Sequence, residues 1–95
     1  MPKQHGDPIE FEFDEAKSRA NKAKHGIDFV EAQALWDDER RCLSEARVGA
    51  ELRFIMIGKI GRRHWSAVFS HRGSRIRLIS VRRSRFEEVR LYESQ

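Results

Sequence analysis

Ile9 to Phe13 (IEFEF) alternates apolar and acidic residues, the period of a half-buried strand, with Ile9, Phe11 and Phe13 facing in and the glutamates out. The pattern then turns helical. Asp14 to Gly26 (DEAKSRANKAKHG) predicts a short helix that Asp14 caps and that Gly26 closes in the left-handed conformation. Lys17, Asn21, Lys24 and His25 share one face of it, while Ala16, Ala20 and Ala23 form a small-residue stripe able to lie close against something flat. Asp28 with Glu31 has the pattern of a capping box and opens a second helix to about Trp36, with Phe29, Ala32, Leu35 and Trp36 on its apolar face. So short a connection predicts a helical hairpin. Asp37-Asp38-Glu39 breaks the pattern and reads as a solvated acidic loop.

From Arg40 onward the period is that of strands. Arg41 to Arg47 is a weak candidate, and Leu52 to Ile57 (LRFIMI) is apolar on both faces toward its end, as a central strand would be. Gly58 to Gly61 supplies a turn. His64 to Ser70 (HWSAVFS) alternates again, with Trp65, Ala67 and Phe69 on one side, and His71-Arg72-Gly73-Ser74 forms a second hairpin turn. Arg75 to Val81 (RIRLISV) is the last strand. Both of its faces are mixed: Ile76, Leu78, Ser80 and Arg82 alternate with Arg75, Arg77, Ile79, Val81 and Arg83, so Arg82 and Arg83 point to opposite sides. Ser84 with Glu87 suggests another capping box, opening a final helix with Phe86, Val89 and Tyr92 toward one side. The expected fold is α+β: an N-terminal strand and a two-helix hairpin packed on an antiparallel sheet of three to four strands, then a C-terminal helix. Residues 1–8 are a polar, loose lead-in, and 9–95 form one domain.

Composition narrows the function classes. No apolar run approaches the length of a membrane span, and the N-terminus lacks the apolar centre of a signal peptide, so a cytoplasmic location without membrane contact is expected. The single Cys42 cannot form an internal disulfide. The net charge of +4 hides an asymmetry: residues 1–47 carry 8 Lys/Arg against 11 Asp/Glu, whereas residues 48–95 carry 11 against 4, and ten of those eleven are arginine. Guanidinium groups grip phosphate with paired hydrogen bonds, so the second half invites a polyanion.

Known catalytic signatures are absent: there is no G-x-S-x-G, P-loop, H-E-x-x-H or cysteine pair. His64 and His71 fall on opposite faces of one strand, which disfavours a metal site. A supply of cations remains. RNA cleavage needs the 2′-hydroxyl deprotonated, the charge on the pentacoordinate phosphate neutralised and the leaving oxygen protonated; histidine suits the proton steps, while Arg and Lys suit the charge. His25, Lys17 and Lys24 on the first helix, with Arg72, Arg75, Arg77, Arg82 and Arg83 near the last strand, are the candidates. Trp65 and Tyr92 are able to stack on bases, although Trp65 fits the core better. The same residues also suit a non-enzymatic module that binds nucleic acid through its basic sheet.

Two stretches carry a family resemblance. Phe11-Glu12-Phe13-Asp14-Glu15-Ala16-Lys17, then Asn21, Lys24-His25-Gly26-Ile27, Phe29 and Glu31-Ala32, resembles the opening motif of the BrnT toxin family. Arg72-Gly73, Arg77-Leu78-Ile79-Ser80-Val81-Arg82-Arg83, Glu88 and Leu91-Tyr92-Glu93 is similar to that family's closing motif. The resemblance implies a RelE-like fold and a metal-independent, cofactor-free endoribonuclease that arrests translation. It also implies a type II toxin–antitoxin pair with a DNA-binding, BrnA-like antitoxin. On this reading Lys17, His25, Arg77, Arg82 and Arg83 are catalytic, and Lys24, Arg72, Arg75 and Tyr92 bind RNA. Asp14 and Ser80 also fall on motif positions. Phe13 stands where the family usually has tryptophan and Val89 where a basic residue is common. The alternative is a decayed toxin that keeps only its nucleic-acid-binding or antitoxin-binding surface.

Overall fold

The computed structural model describes residues 8–95, so most of the expected loose lead-in, with His5, lies outside the described residues. The chain forms β1 (Phe11–Glu12), α1 (Glu15–His25), a 3-10 helix (Glu31–Asp37), β2 (Cys42–Val48), β3 (Glu51–Ile60), β4 (Arg63–Arg72), β5 (Arg75–Arg83) and α2 (Phe86–Glu93). The strands make one mixed sheet in the order β1-β5-β4-β3-β2. Its antiparallel part has four strands, and β1 adds a fifth, parallel to β5, with Phe11 opposite Ile76 and Glu12 opposite Arg77. None of the helices among the described residues is long and apolar enough to cross a membrane.

Local chemistry sets the helix ends. The Lys17 N–H donates to Asp14 Oδ1 at 2.9 Å, and Gly26, at φ 84°, donates its N–H to Lys22 O at 2.9 Å. Asp28 and Glu31 exchange bonds as a capping box: Asp28 Oδ1 accepts from the Glu31 N–H at 2.8 Å, and Glu31 Oε1 accepts from the Asp28 N–H at 2.9 Å. The segment this box opens is a 3-10 helix rather than the expected α-helix, although Ala32, Leu35 and Trp36 are buried as the pattern required. The last helix starts later than expected. Glu88, not Glu87, reaches back, accepting from the Arg85 N–H at 2.8 Å, and because a guanidinium has no acceptor only this half of a box forms. Phe86, expected on the inner side, is 73% exposed, while Val89 is half-buried and Tyr92 buried.

α1 and the 3-10 helix cover one face of the sheet. Phe29, Leu35, Trp36, Met56, Trp65, Ala67, Phe69, Leu78 and Val81 form the core between them. Phe13 packs there edge-to-face on Phe29, with ring centroids 5.7 Å apart. α2 lies across the other face and packs on β3. Two expected turns prove shorter: His71 and Arg72 belong to β4, and β3 continues through Gly58 to Ile60. Gly58 is needed inside the strand because the end of the 3-10 helix crosses it. A Cβ there would sit 3.1 Å from Leu35 Cδ2 and 3.2 Å from Asp38 Oδ2.

The alanine stripe does the opposite of what its size suggests. Ala16, Ala20 and Ala23 are exposed, and α1 turns Ser18 and Asn21 inward. The mixed faces of β5 also resolve. Val68 pairs with Ser80 but Phe69 pairs with Leu78, so Ile79 is an extra residue and the strand bulges. Ile76, Leu78 and Val81 thereby share the core side, which strict alternation forbids.

Candidate active site

The described residues place the expected site residues in three groups. The first lies on the seam between α1 and β5. Asn21 is 8% exposed; its Nδ2 donates to Ile27 O and to Val81 O, both at 2.8 Å, and its Oδ1 accepts from the Val81 N–H at 3.2 Å. β1 stops at Glu12, opposite Arg77, so this side-chain amide takes over as the hydrogen-bonding partner of β5 beyond that point. α1 and β5 advance in the same direction: Asp14, at the start of α1, feels the charge of Arg77, and Asn21 meets Val81. His25 is one turn past Asn21, about 6 Å along the axis. Arg83 is two residues past Val81, about 6–7 Å along the strand. Both residues therefore lie beyond the Asn21–Val81 contact, His25 on α1 and Arg83 on the core side of β5. Lys17, one turn before Asn21, shares the same helix face. Arg83 lies over the Trp65 ring, 5.6 Å from its centroid, and has no carboxylate partner among the described residues. Lys17 and Lys24 are exposed and His25 half-buried.

The second group lies at the β1 edge. Glu12 Oε2 accepts from Arg77 Nη1 at 2.9 Å and lies 4.0 Å from Arg72 Nη1; Arg75 donates to Glu10 Oε1 at 3.2 Å and has a second nitrogen 3.7 Å from Glu12. Three arginines expected to meet phosphate are thus held by the two glutamates whose outward direction the alternation predicted.

The third group sits beneath α2, on the far face. Arg82 clasps Glu88 with two hydrogen bonds, at 2.8 and 2.9 Å, and the same carboxylate accepts from Ser66 Oγ at 2.8 Å. Ser66 Oγ also lies 2.8 Å from Ser84 Oγ. Burial pushes the Glu88 carboxyl up, but hydrogen bonds from Arg82, the Arg85 N–H and Ser66 outweigh it and bring its pKa down to about 2. Arg82 responds in the other direction: its hydrogen bond with Glu88 raises its pKa above the ordinary guanidinium value. The bond partners of Arg82 are those of a clasp between β5 and α2. Arg82 and Arg83 do point to opposite sides of the sheet, as the strand period predicted.

Tyr92, expected to stack on a base, is 3% exposed. Its hydroxyl donates to Asp38 Oδ2 at 2.7 Å, and His64 packs edge-on against its ring at 5.2 Å. Burial, then the bond to Asp38, pushes the phenol up to about 12. Asp38, read as part of a solvated loop, also accepts from the Lys59 N–H at 2.8 Å and the Arg40 N–H at 2.9 Å. Burial drives its carboxyl up, and these three bonds hold it below the usual carboxylate value. Only its place at the end of an apolar run, beside two exposed acids, hinted at that role. His64 bonds Glu93 at 2.7 Å beside α2, while His71 lies against Phe54 on the core side, so the two do part to opposite faces.

No group of three or more His, Cys, Asp or Glu among the described residues converges as a metal site. The arrangement offers charge neutralisation from Arg83 and Lys17 beside an imidazole, on a surface open to solvent. A family model described as ribonuclease toxin, BrnT, of type II toxin–antitoxin system matches residues 13–88. No curated protein matches the chain.

Proposed function

The chain belongs to the BrnT family of type II toxin–antitoxin ribonuclease toxins, and from that membership we propose that it is a metal-independent endoribonuclease acting on the α1–β5 seam. The observation that carries the reading is the Asn21 clamp, which ties the face of α1 that bears His25 to the stretch of β5 that leads into Arg83. In the proposed reaction the ribose 2′-oxygen loses its proton and attacks the adjacent phosphorus. A 2′,3′-cyclic phosphate forms, the bond to the 5′-oxygen breaks, and that oxygen takes up a proton. An imidazole is the side chain suited to proton transfer near neutral pH, and His25 supplies it. Arg83 and Lys17 balance the charge that builds on the phosphorane oxygens. Because the nucleophile is part of the substrate, positioning supplies much of the acceleration. Lys24 and the edge arginines Arg72, Arg75 and Arg77 hold flanking phosphates, and Arg82 acts through the fold.

Cleavage of messenger RNA would arrest translation, and a BrnA-like antitoxin would silence the toxin by covering the basic seam. A helical layer followed by a four-stranded meander and a closing helix supports the RelE-like arrangement. The purified chain should cut RNA in excess chelator, and Arg83→Ala should slow cutting by about 10²–10³-fold, the usual loss for one charge-stabilising donor. Intact RNA, or an Arg83→Ala variant as fast as the parent, would overturn the proposal. Ion pairing of Arg77 and Arg82 favours one rival, a surface that binds RNA without cutting it. Steeply salt-dependent binding with no scission identifies that case.

A further inference from the structure

The helix–sheet seam opens at its far end into a groove of about 450 Å³, lined by Gly26, Ile27, Glu31, Ile60, Arg63 and Trp65. The volume lies within the range of small-molecule sites. Its walls come from three places: the close of α1, the entry to the 3-10 helix and the β3–β4 hairpin. Ile27, Ile60 and Trp65 make the apolar surface. Cations stand beside it, Arg63 on the lining and Arg83 over the Trp65 ring, and the His25 imidazole is next to Gly26 in the chain. An apolar hollow bordered by cations is complementary to a ligand with one flat apolar part and one anionic part. A nucleotide has that form.

We propose that this groove is a nucleobase subsite, which seats the base beside the phosphate held at Arg83. The inference rests on the ribonuclease reading above and adds where a neighbouring base goes. The chemistry of the lining also sets how the base is read. Glu31, the carboxylate of the groove, accepts from Lys22 Nζ at 2.8 and 3.0 Å and from the Asp28 N–H at 2.9 Å. Those three bonds occupy most of the roughly four lone-pair sites of a carboxylate. Little acceptor capacity remains for the edge of a base, so the subsite selects by apolar contact and discriminates weakly among the four bases. The strongly basic surroundings make binding salt-dependent, whereas the apolar contact does not weaken with salt.

Full-length protein titrated with the four nucleoside 3′-monophosphates, followed by NMR of the Trp65 indole N–H and the Ile27 and Ile60 methyl groups, tests the subsite. Inorganic phosphate and ribose 5-phosphate are the controls. Nucleotides should bind about tenfold more tightly than either control, with a spread below about fivefold among the bases, and should shift those three residues. Ile60→Thr should remove most of the nucleotide advantage while leaving phosphate affinity unchanged, and should raise KM for a short RNA with little change in kcat. Equal affinity for nucleotide and phosphate, or shifts that avoid Ile27, Ile60 and Trp65, overturns the subsite even if RNA is cut. Nucleotide binding at the groove in a protein that never cuts RNA upholds the subsite and overturns the ribonuclease reading instead.

Discussion

Asn21→Ala is the substitution from which the structure predicts most. It would strand the Ile27 carbonyl, the Val81 carbonyl and the Val81 N–H, all bonded now to one side-chain amide. A buried polar group left without a partner costs about 1–3 kcal/mol. The seam is near the sheet edge and water would reach part of it, so about 2–4 kcal/mol is expected in all, toward the low end of the summed range. In a chain of this size each kcal/mol moves Tm by about 4–8 °C, which predicts a fall of roughly 10–25 °C. Asn21→Asp separates hydrogen bonding from size. It keeps the volume but aims an acceptor at two carbonyl oxygens, and should be at least as damaging as alanine. Urea unfolding followed by circular dichroism gives the free energies. RNA cleavage measured at low temperature, where the variants remain folded, reads whether loosening the α1–β5 seam also costs activity. Asn21→Ala within about 0.5 kcal/mol of the parent, the ordinary scatter of surface substitutions, would refute the clamp. So would Asn21→Asp more stable than Asn21→Ala.

Other consequences are more local. The Glu88 carboxyl falls from 4.5 to about 2 on folding, so it contributes stability above its unfolded pKa that is lost as pH drops through the folded value. That shift corresponds to about 3 kcal/mol. Stability measured from pH 5 to pH 2 should decline with this component, and Glu88→Gln should flatten it; an unchanged acid limb would contradict the clasp. Arg82→Ala should cost about 2–4 kcal/mol in unfolding experiments, because Glu88 is left half-buried without its partner. By contrast, Arg83→Ala should leave stability nearly unchanged while slowing cleavage by about 10²–10³-fold. Tyr92 is the only tyrosine in the chain, so its ionisation can be followed directly by absorbance. The midpoint should lie near 12, and Asp38→Asn should bring it down toward the ordinary phenol value.

The elements with strong local chemistry were legible from sequence. Asp14 and Gly26 bracket α1, Asp28 and Glu31 box the next helix, and glycine begins the tight turns at Gly61 and Gly73, with φ of 63° and 62°. Each signal lies within a few residues of its effect. The features that were not legible depend on partners far along the chain. Small residues on α1 suggested close packing, yet its inner face is occupied with backbone groups rather than apolar surface. Ser18 Oγ accepts from the Phe29 N–H at 2.9 Å, and Asn21 serves Ile27 and Val81. A helix beside an incompletely paired strand edge has to present polar atoms inward, and its alanines then fall outside. That exchange is visible only once β1 is known to stop at Glu12.

The arginines obey the same logic. The mixed faces of the last strand were the sequence-level trace of a bulge, because a period-two pattern with Leu78 and Val81 both buried requires one extra residue between them. Beyond that residue the assignment of faces exchanges, sending Arg83 toward α1 and Arg82 toward α2. A carboxylate waits for one and none among the described residues for the other. Neighbours in sequence with the same charge therefore carry different work, Arg82 fastening the closing helix and Arg83 remaining available to an anion. Removing Ile79 tests this division directly. Without the extra residue, Leu78, Ser80, Val81, Arg82 and Arg83 alternate strictly in the same pairing with β4, so Arg82 stays beneath α2 and Arg83 on the core side, and the deletion should keep both the Glu88 acid transition and the dependence of cleavage on Arg83. If the deletion lost both, Ile79 would not be the extra residue that sets which arginine meets which helix.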